Sequence, residues 1–385
     1  MIKRKICVVI TARPSYARVK TALYAIKNHP DLELQLVLAG SALLDRYGDA
    51  SKVIEADGFK VIEKIYNVLE GEAPGIMAKI TGLAIMELST TFQNLKPDLV
   101  VTIADRFETI ATSIAASYQN IPLAHIQGGE VTGNIDEKVR HANTKLADIH
   151  LVASEGARQR VIRLGENERY VINTGCPSMD LAREVLESPN FNFDPLVKYG
   201  GVGPEINWKD GYIVVMQHPV TSEFENAKKN IEVTLNAIYE LKIPTFWFWP
   251  NVDAGSDSIS KGLRIFRERY QPENIHFFKN MEPLDFLRLI KDSKCLIGNS
   301  SVGIRESAFL GVPVVNVGSR QRGRQRAKNV IDCGYDKVEI KKAININFSN
   351  GHHEPEFIYG DGTAGKKIAN LLANIELIYQ KKITY

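Results

Sequence analysis

Several marks of specialised proteins are missing from this chain. Its four cysteines, Cys7, Cys176, Cys295 and Cys333, lie far apart, which excludes a disulfide framework and a metal-type cysteine spacing. Reduced thiols of this kind fit a cytoplasmic protein. The eight histidines include no His-Glu-x-x-His pair, so no metal site is expected. No apolar run is long enough to span a membrane. The basic start is followed by Ile6–Ile10, too short for a signal peptide and interrupted by Thr11-Ala-Arg13-Pro. Charge of one sign is scarce too, with a formal net of +3. The basic run from Arg320 to Arg326 has no interleaved aromatics and no wider basic field, so a nucleic-acid partner is not expected. No Gly-x-Gly-x-x-Gly follows the first strand, which disfavours a nicotinamide cofactor. Internal repeats and low-complexity segments are absent as well.

What is present is an alternation of short apolar runs with longer helical patterns. Strands are expected at Ile6–Ile10, Leu34–Leu38, Leu99–Ile103, Leu123–Ile126, Ile149–Val152 and Tyr170–Asn173. Helical patterns separate them, near Ala17–Lys27, Met77–Leu95, Glu108–Ser117, Asp136–Leu146 and Glu155–Leu164. The alternation restarts with strands at Tyr212–Met216, Thr245–Trp249, His276–Phe278, Cys295–Ile297 and Pro313–Val317. Strands buried on both faces and alternating with helices imply parallel sheets covered on each side. A chain of 385 residues is too long for one ordinary core. The expected fold class is therefore α/β, with two doubly wound domains facing a cleft. Residues 1–186 form the first, 187–210 a proline- and glycine-bearing linker, and 211–363 the second. A C-terminal helical segment, 364–385, crosses back to the first domain. Ligands bind beyond the carboxyl ends of strands in such sheets.

The unusual polar clusters fall at those ends. Gly298–Arg320 is the richest, with small polar residues after a strand and then a helix from Val302 to Gly311. Helix N-terminal amides bind phosphate, and Ser300 and Ser301 add hydroxyls. Glu306 is placed for sugar hydroxyls, and Arg320 returns to the same rim. A serine cap is the plainer alternative for Ser300 or Ser301. After the first strand, Arg13 and Arg18 can meet anions, although a solvated helix start suits Arg18 better. Asp105 and Glu108 have the spacing of a capping box, with Asp105 beside Arg106 also an acid–base candidate. Gln127-Gly-Gly-Glu130 offers close backbone approach and a carboxylate. Asp136 can cap a helix and pair with Arg140 one turn on. His218 before a proline, and Asn251 after an aromatic strand, complete the set.

These blocks, in this order, resemble the hydrolysing UDP-N-acetylglucosamine 2-epimerases, both the bacterial sialic-acid enzymes and the epimerase half of the bifunctional animal enzyme. The resemblance runs over nearly the whole length. It is carried by Asp105-Arg106, His125–His141, Gly175–Ser178, Gln217–Thr221, Pro250–Ser256, Gly298–Arg320 and Tyr359–Gly362. It implies a GT-B arrangement of two Rossmann-like domains and a homodimer or homotetramer. It also implies conversion of UDP-N-acetylglucosamine and water to N-acetylmannosamine and UDP, without a cofactor, by anti elimination to a glycal and then hydration. Asp105, Asp136 and Arg140 match the family's acid–base positions. Arg13, Arg106, His218, Asn251, Ser300, Ser301, Glu306 and Arg320 match those for UDP.

Two positions depart from the family pattern. Gln127 stands where a catalytic carboxylate is usual, and Ser15 stands where an acid is frequent. An amide cannot take a proton at neutral pH. Either Asp105, Glu130 or Asp136 transfers it, or the chemistry differs. A modified UDP-sugar of the diacetylbacillosamine, legionaminic-acid type is one alternative. A glycosyltransferase of the same fold, or a nucleotide-sugar-binding regulator, are others.

Overall fold

The structure, a computed structural model, describes residues 3–44, 50–69, 74–103, 106–131, 135–250 and 256–384. By its contacts the chain divides into two compact units, Met1–Asp180 with Tyr359–Tyr385, and Leu181–Ile358.

In the first unit the strands and helices alternate in the order β1 (Arg4–Ile10), α1 (Arg13–Asn28), β2 (Leu32–Ala39), α2 (Ala50–Ala56), β3 (Val61–Ile65), α3 (Pro74–Leu95), β4 (Leu99–Ile103) and α4 (Thr109–Tyr118). They continue with β5 (Leu123–Ile126), α5 (Ile135–Leu146), β6 (Ile149–Val152), α6 (Glu155–Arg163) and β7 (Val171–Asn173), and α7 (Ser178–Glu187) begins in the first unit and passes into the second after Asp180. The seven strands pair in the order β3-β2-β1-β4-β5-β6-β7, and every recorded pairing is parallel. The central strands are buried on both faces, which is why their sequences read as continuous apolar runs. One core lies under α1, with Ile6, Val8, Ile10, Val19, Leu23 and Ile26 packed together. The other lies under α3 and α4, with Cys7, Val9, Leu88, Phe92 and Ala111.

The second unit adds α8 (Pro195–Tyr199), β8 (Ile213–Met216), α9 (Ala227–Leu241), β9 (Thr245–Phe248), α10 (Ser256–Tyr270), β10 (Ile275–Phe278) and α11 (Pro283–Asp292). Then come β11 (Cys295–Gly298), α12 (Ser301–Ile304), α13 (Glu306–Leu310), β12 (Val314–Val317), β13 (Val330–Cys333) and α14 (Lys337–Asn350). Its six strands pair in parallel in the order β10-β9-β8-β11-β12-β13. Residues 187–210 are not bare chain. Asp194 caps α8, and Phe191, Phe193 and Trp208 stack in a row that reaches Tyr212 and Phe246.

The last helix, α15 (Ala364–Asn374), returns to the first unit. Ile368, Ala369 and Leu372 enter the core beneath α1. Both oxygens of Asp180 accept the first backbone N–H groups of α15, at 2.8 Å each. At the other end Arg4 Nη1 donates to the Leu372 carbonyl at 2.6 Å. Among the described residues, no helix is long and apolar enough to cross a membrane.

Candidate functional site

In each sheet the chain order reverses at one place, between β1 and β4 in the first and between β8 and β11 in the second. The connections leave the two neighbouring strands on opposite faces, so a crevice opens beyond their carboxyl ends. The polar clusters singled out by sequence lie mostly beyond these two places.

In the second unit the crevice is shaped by Gly298, which ends β11 at φ 128. A Cβ there would sit 2.2 Å from the Met216 carbonyl oxygen, so only glycine lets β11 finish this close to the end of β8. The close approach puts Asn299 beside His218. Asn299 Oδ1 accepts the His218 backbone N–H at 2.7 Å, and its Nδ2 donates to the His218 carbonyl at 2.8 Å. His218 is buried, and burial together with the nearby Arg320 charge holds its imidazole well below the usual range. It is therefore neutral at neutral pH, a donor at one nitrogen and an acceptor at the other.

From β12 the chain swings back. Arg320 Nη1 donates to the Asn299 carbonyl at 3.2 Å, and Gln321 Nε2 donates to the same oxygen at 2.8 Å. Ser300 is the N-cap of α12, its hydroxyl accepting from the Val302 amide at 3.4 Å. The expected single helix from Val302 to Gly311 is in fact two. Arg305 stands between them, C-cap of the first and N-cap of the second, and its Nη2 donates to Ser301 Oγ at 3.1 Å. What this one-turn start offers an anion is backbone amides and hydroxyls rather than a long macrodipole. Just past the break, Glu306 is buried, and its Oε2 has no partner among the described residues. A buried acceptor left this way costs about 1–3 kcal/mol, which a ligand's hydroxyl donor would remove. His218, Ser300, Ser301, Glu306 and Arg320 thus gather in one unit. Asn251 lies outside the described residues.

In the first unit Arg13 opens α1, whose first turn carries no acidic side chain. Beyond β4, Arg106 Nε donates to Glu108 Oε1 at 2.9 Å. The capping-box reading of Glu108 does not hold. It sits at the N-cap of α4 itself, and its side chain makes no cap hydrogen bond. Asp105 lies outside the described residues. Beyond β5, Gln127 adopts a left-handed φ of 67, and the buried Glu130 follows. Gln127 Oε1 accepts from Arg18 Nη1 at 3.3 Å, and its Nε2 donates to Cys176 Sγ at 2.8 Å. Arg18 is therefore tied to the same loop rather than simply solvated. Arg140 is buried on α5, its Nη1 donating to the Glu130 carbonyl at 2.8 Å. Asp136 falls within the first turn of α5, not ahead of it, where a negative charge still favours the helix N-terminus.

The sequence offered Glu108 only as a capping residue, gave Arg305 no role and favoured a solvated place for Arg18. A signal existed for Arg18, since it lies on α1 close behind Arg13. The burial of Glu108 and Arg305 left no mark in the local pattern.

A family model described as UDP-N-acetylglucosamine 2-epimerase matches residues 24–373. A UDP-N,N'-diacetylbacillosamine 2-epimerase (hydrolyzing) of Legionella pneumophila is 32% identical over 381 residues, covering 97% of each chain. A UDP-N-acetylglucosamine 2-epimerase of Neisseria meningitidis serogroup B is 31% identical over 379 residues, covering 97% of this chain and 96% of that one. The crystal structure of the Neisseria meningitidis UDP-GlcNAc 2-epimerase bound to UDP-GlcNAc aligns with a TM-score of 0.79 at 19% identity, over 96% of this chain and 99% of that chain. That likeness bears on the fold, two Rossmann-like domains of the GT-B type. Together with the matched span and the two relatives, it gives the chain its place: it belongs to the UDP-N-acetylglucosamine 2-epimerase family and is an enzyme of the hydrolysing type.

Proposed function

We propose that the chain releases UDP from a UDP-2-acetamido sugar while inverting carbon 2. The observation that carries this reading is the gathering beyond β8 and β11: amides and hydroxyls at Ser300 and Ser301, the neutral His218, Arg320, and a buried Glu306 oxygen awaiting a donor. Such a set suits a nucleoside diphosphate, with Glu306 on the ribose hydroxyls and the cation and donors on the phosphates. Within the first unit, Arg13 and Arg106 stand at the positions that the family pattern gives to UDP.

The sugar chemistry falls to Asp105, Glu130, Asp136 and Arg140. A carboxylate takes the carbon 2 proton, and the carbon 1–oxygen bond breaks with its electron pair leaving on UDP. Water then adds to the glycal, its oxygen at carbon 1 and a proton at carbon 2 from the opposite face. No redox step occurs. Gln127 takes no proton.

For the sugar, UDP-N,N'-diacetylbacillosamine is the first reading, supported by the name of the Legionella relative. UDP-N-acetylglucosamine, giving N-acetylmannosamine, is the second, supported by the Neisseria relative of nearly equal identity. The test is incubation with each UDP-sugar in deuterated water, with no acceptor present. UDP release with deuterium at carbon 2 of the free sugar is expected, faster for the diacetamido substrate. UDP release without that label would sink the epimerase chemistry, and a faster reaction with UDP-N-acetylglucosamine would reverse the order of substrates.

A further inference from the structure

The segment after α15 is fastened to the first unit at two places. Thr384 N donates to the Gly165 carbonyl at 3.0 Å, and a Cβ on Gly165 would lie 2.5 Å from Ile383 Cγ1. The other place is Lys381. Its Nζ donates to the carbonyls of Thr144 and Lys145, at 3.1 and 2.9 Å, and to that of Ala147. It also meets Glu166 Oε2 at 2.6 Å. An ammonium has three N–H groups, so with four acceptors around it the group is fully committed. Thr144 and Lys145 lie in the last turn of α5, where the closing carbonyls have no helical amide to accept from. A lysine near the end of the same helix often takes that place. Here the cation comes from 237 residues along the chain. Glu166 does not by itself require Lys381, since Lys145 Nζ at 2.6 Å and His150 Nε2 at 3.0 Å already meet it.

What Lys381 grips leads on to residues of the sugar chemistry. The hydroxyl of the buried Thr144 donates to the Arg140 carbonyl at 3.0 Å. With its one hydrogen committed there, it accepts from His125 Nδ1 at 3.2 Å. It also stands against Gly128, where a Cβ would come 2.9 Å from it. Arg140 Nη1 in turn donates to the Glu130 carbonyl at 2.8 Å. Every contact in this line lies within the first unit. We infer that Lys381 is a positioning residue: by holding the last turn of α5 it fixes Thr144 against β5, and so sets where Arg140 and the 127–130 loop stand. This rests on the proposed assignment of Glu130 and Arg140 to the sugar, and adds to it a residue outside the site that keeps them in place.

The test is amide hydrogen exchange of the full chain, beside steady-state kinetics and thermal melts. Lys381→Met keeps the apolar stem and removes the ammonium. Thr144→Val keeps the shape and removes the hydroxyl. In each, the 127–130 amides, among them the Gln127 N–H on the Leu151 carbonyl, should exchange roughly tenfold faster while β1 and β4 are unchanged. The kcat for labelling carbon 2 should fall by roughly as much, with KM within about threefold of the wild type. The double variant should be no worse than the worse single one, because both cut the same line of contacts. Thr144→Ser, which retains the hydroxyl, should behave as the wild type does. An unchanged loop, faster exchange spread evenly over the first unit, or additive losses in the double variant would each overturn the inference and leave Lys381 a role in the fold alone. A wild type that labels no sugar would remove the reaction only, because the loop's exchange is read without turnover and still upholds or overturns the positioning.

Discussion

Gln127 combines a strained backbone with a fully committed side chain. A non-glycine residue at φ 67 costs of order 1 kcal/mol and persists where its surroundings over-determine it. Here they do, since the amide oxygen accepts from Arg18 and the amide nitrogen donates to Cys176, with the residue 2% exposed. Behind it, a Cβ at Gly128 would come 2.9 Å from both His125 Nδ1 and Thr144 Oγ1, so the loop is clamped on its far side too. An amide used at both ends is a fixture of the loop, not a weakened base. Gln127→Glu would put a carboxylate against Arg18 and take the donor away from Cys176. We expect its kcat to be no higher than that of the wild type across pH 6–9. A gain of about tenfold or more in steady-state kinetics would mean instead that a general base is what this loop lacks.

At the scale of elements, what could be read beforehand follows burial. Leu99–Ile103, Leu123–Ile126 and Ile149–Val152 were legible to the residue because both faces of each strand are covered. Strands β3 and β13 were not. They are edge strands, with Glu63 and Asp332 exposed, and their short mixed sequences carry no continuous apolar run. The break at Arg305 was equally hidden, because an arginine four residues after a serine suits one continuous helix as well as two. Gly298 is the element-scale feature with the sharpest consequence. Gly298→Ala would force a left-handed alanine into the Met216 carbonyl, so β8 and β11 would have to part. The cost should exceed about 1 kcal/mol. The pairing of Asn299 with His218 would go with it, so UDP binding should fall further than the melting temperature alone accounts for. Calorimetry and a melt of the same variant check this, and unchanged UDP affinity would show that the β8–β11 crossing does not set the site.

For the whole molecule, strand alternation and the restart after residue 210 announced two α/β units, but two matched blocks kept their physical meaning hidden. Gly175–Ser178 and Tyr359–Gly362 are far apart in sequence and meet in the first unit. The Cys176 amide donates to the Tyr359 carbonyl at 2.7 Å, and a Cβ on Gly175 would lie 2.9 Å from the Gly360 Cα. These glycines let the returning chain dock, so part of the family pattern records assembly rather than chemistry. The docked helix then supplies Ile368 and Leu372, both 0% exposed, to the core beneath α1. Each is worth about 1.5–3 kcal/mol of burial, against a typical domain stability of roughly 5–15 kcal/mol. The first unit is thus discontinuous in sequence and incomplete without its last segment, whereas the second is contiguous. Cutting after Glu187, which keeps α7 whole, makes the difference measurable. Residues 188–358 should melt cooperatively on their own in circular dichroism. Residues 1–187 should not, until 359–385 are joined to them through a flexible linker. A cooperative melt of 1–187 alone would show that the returning helix covers this core without being needed to form it.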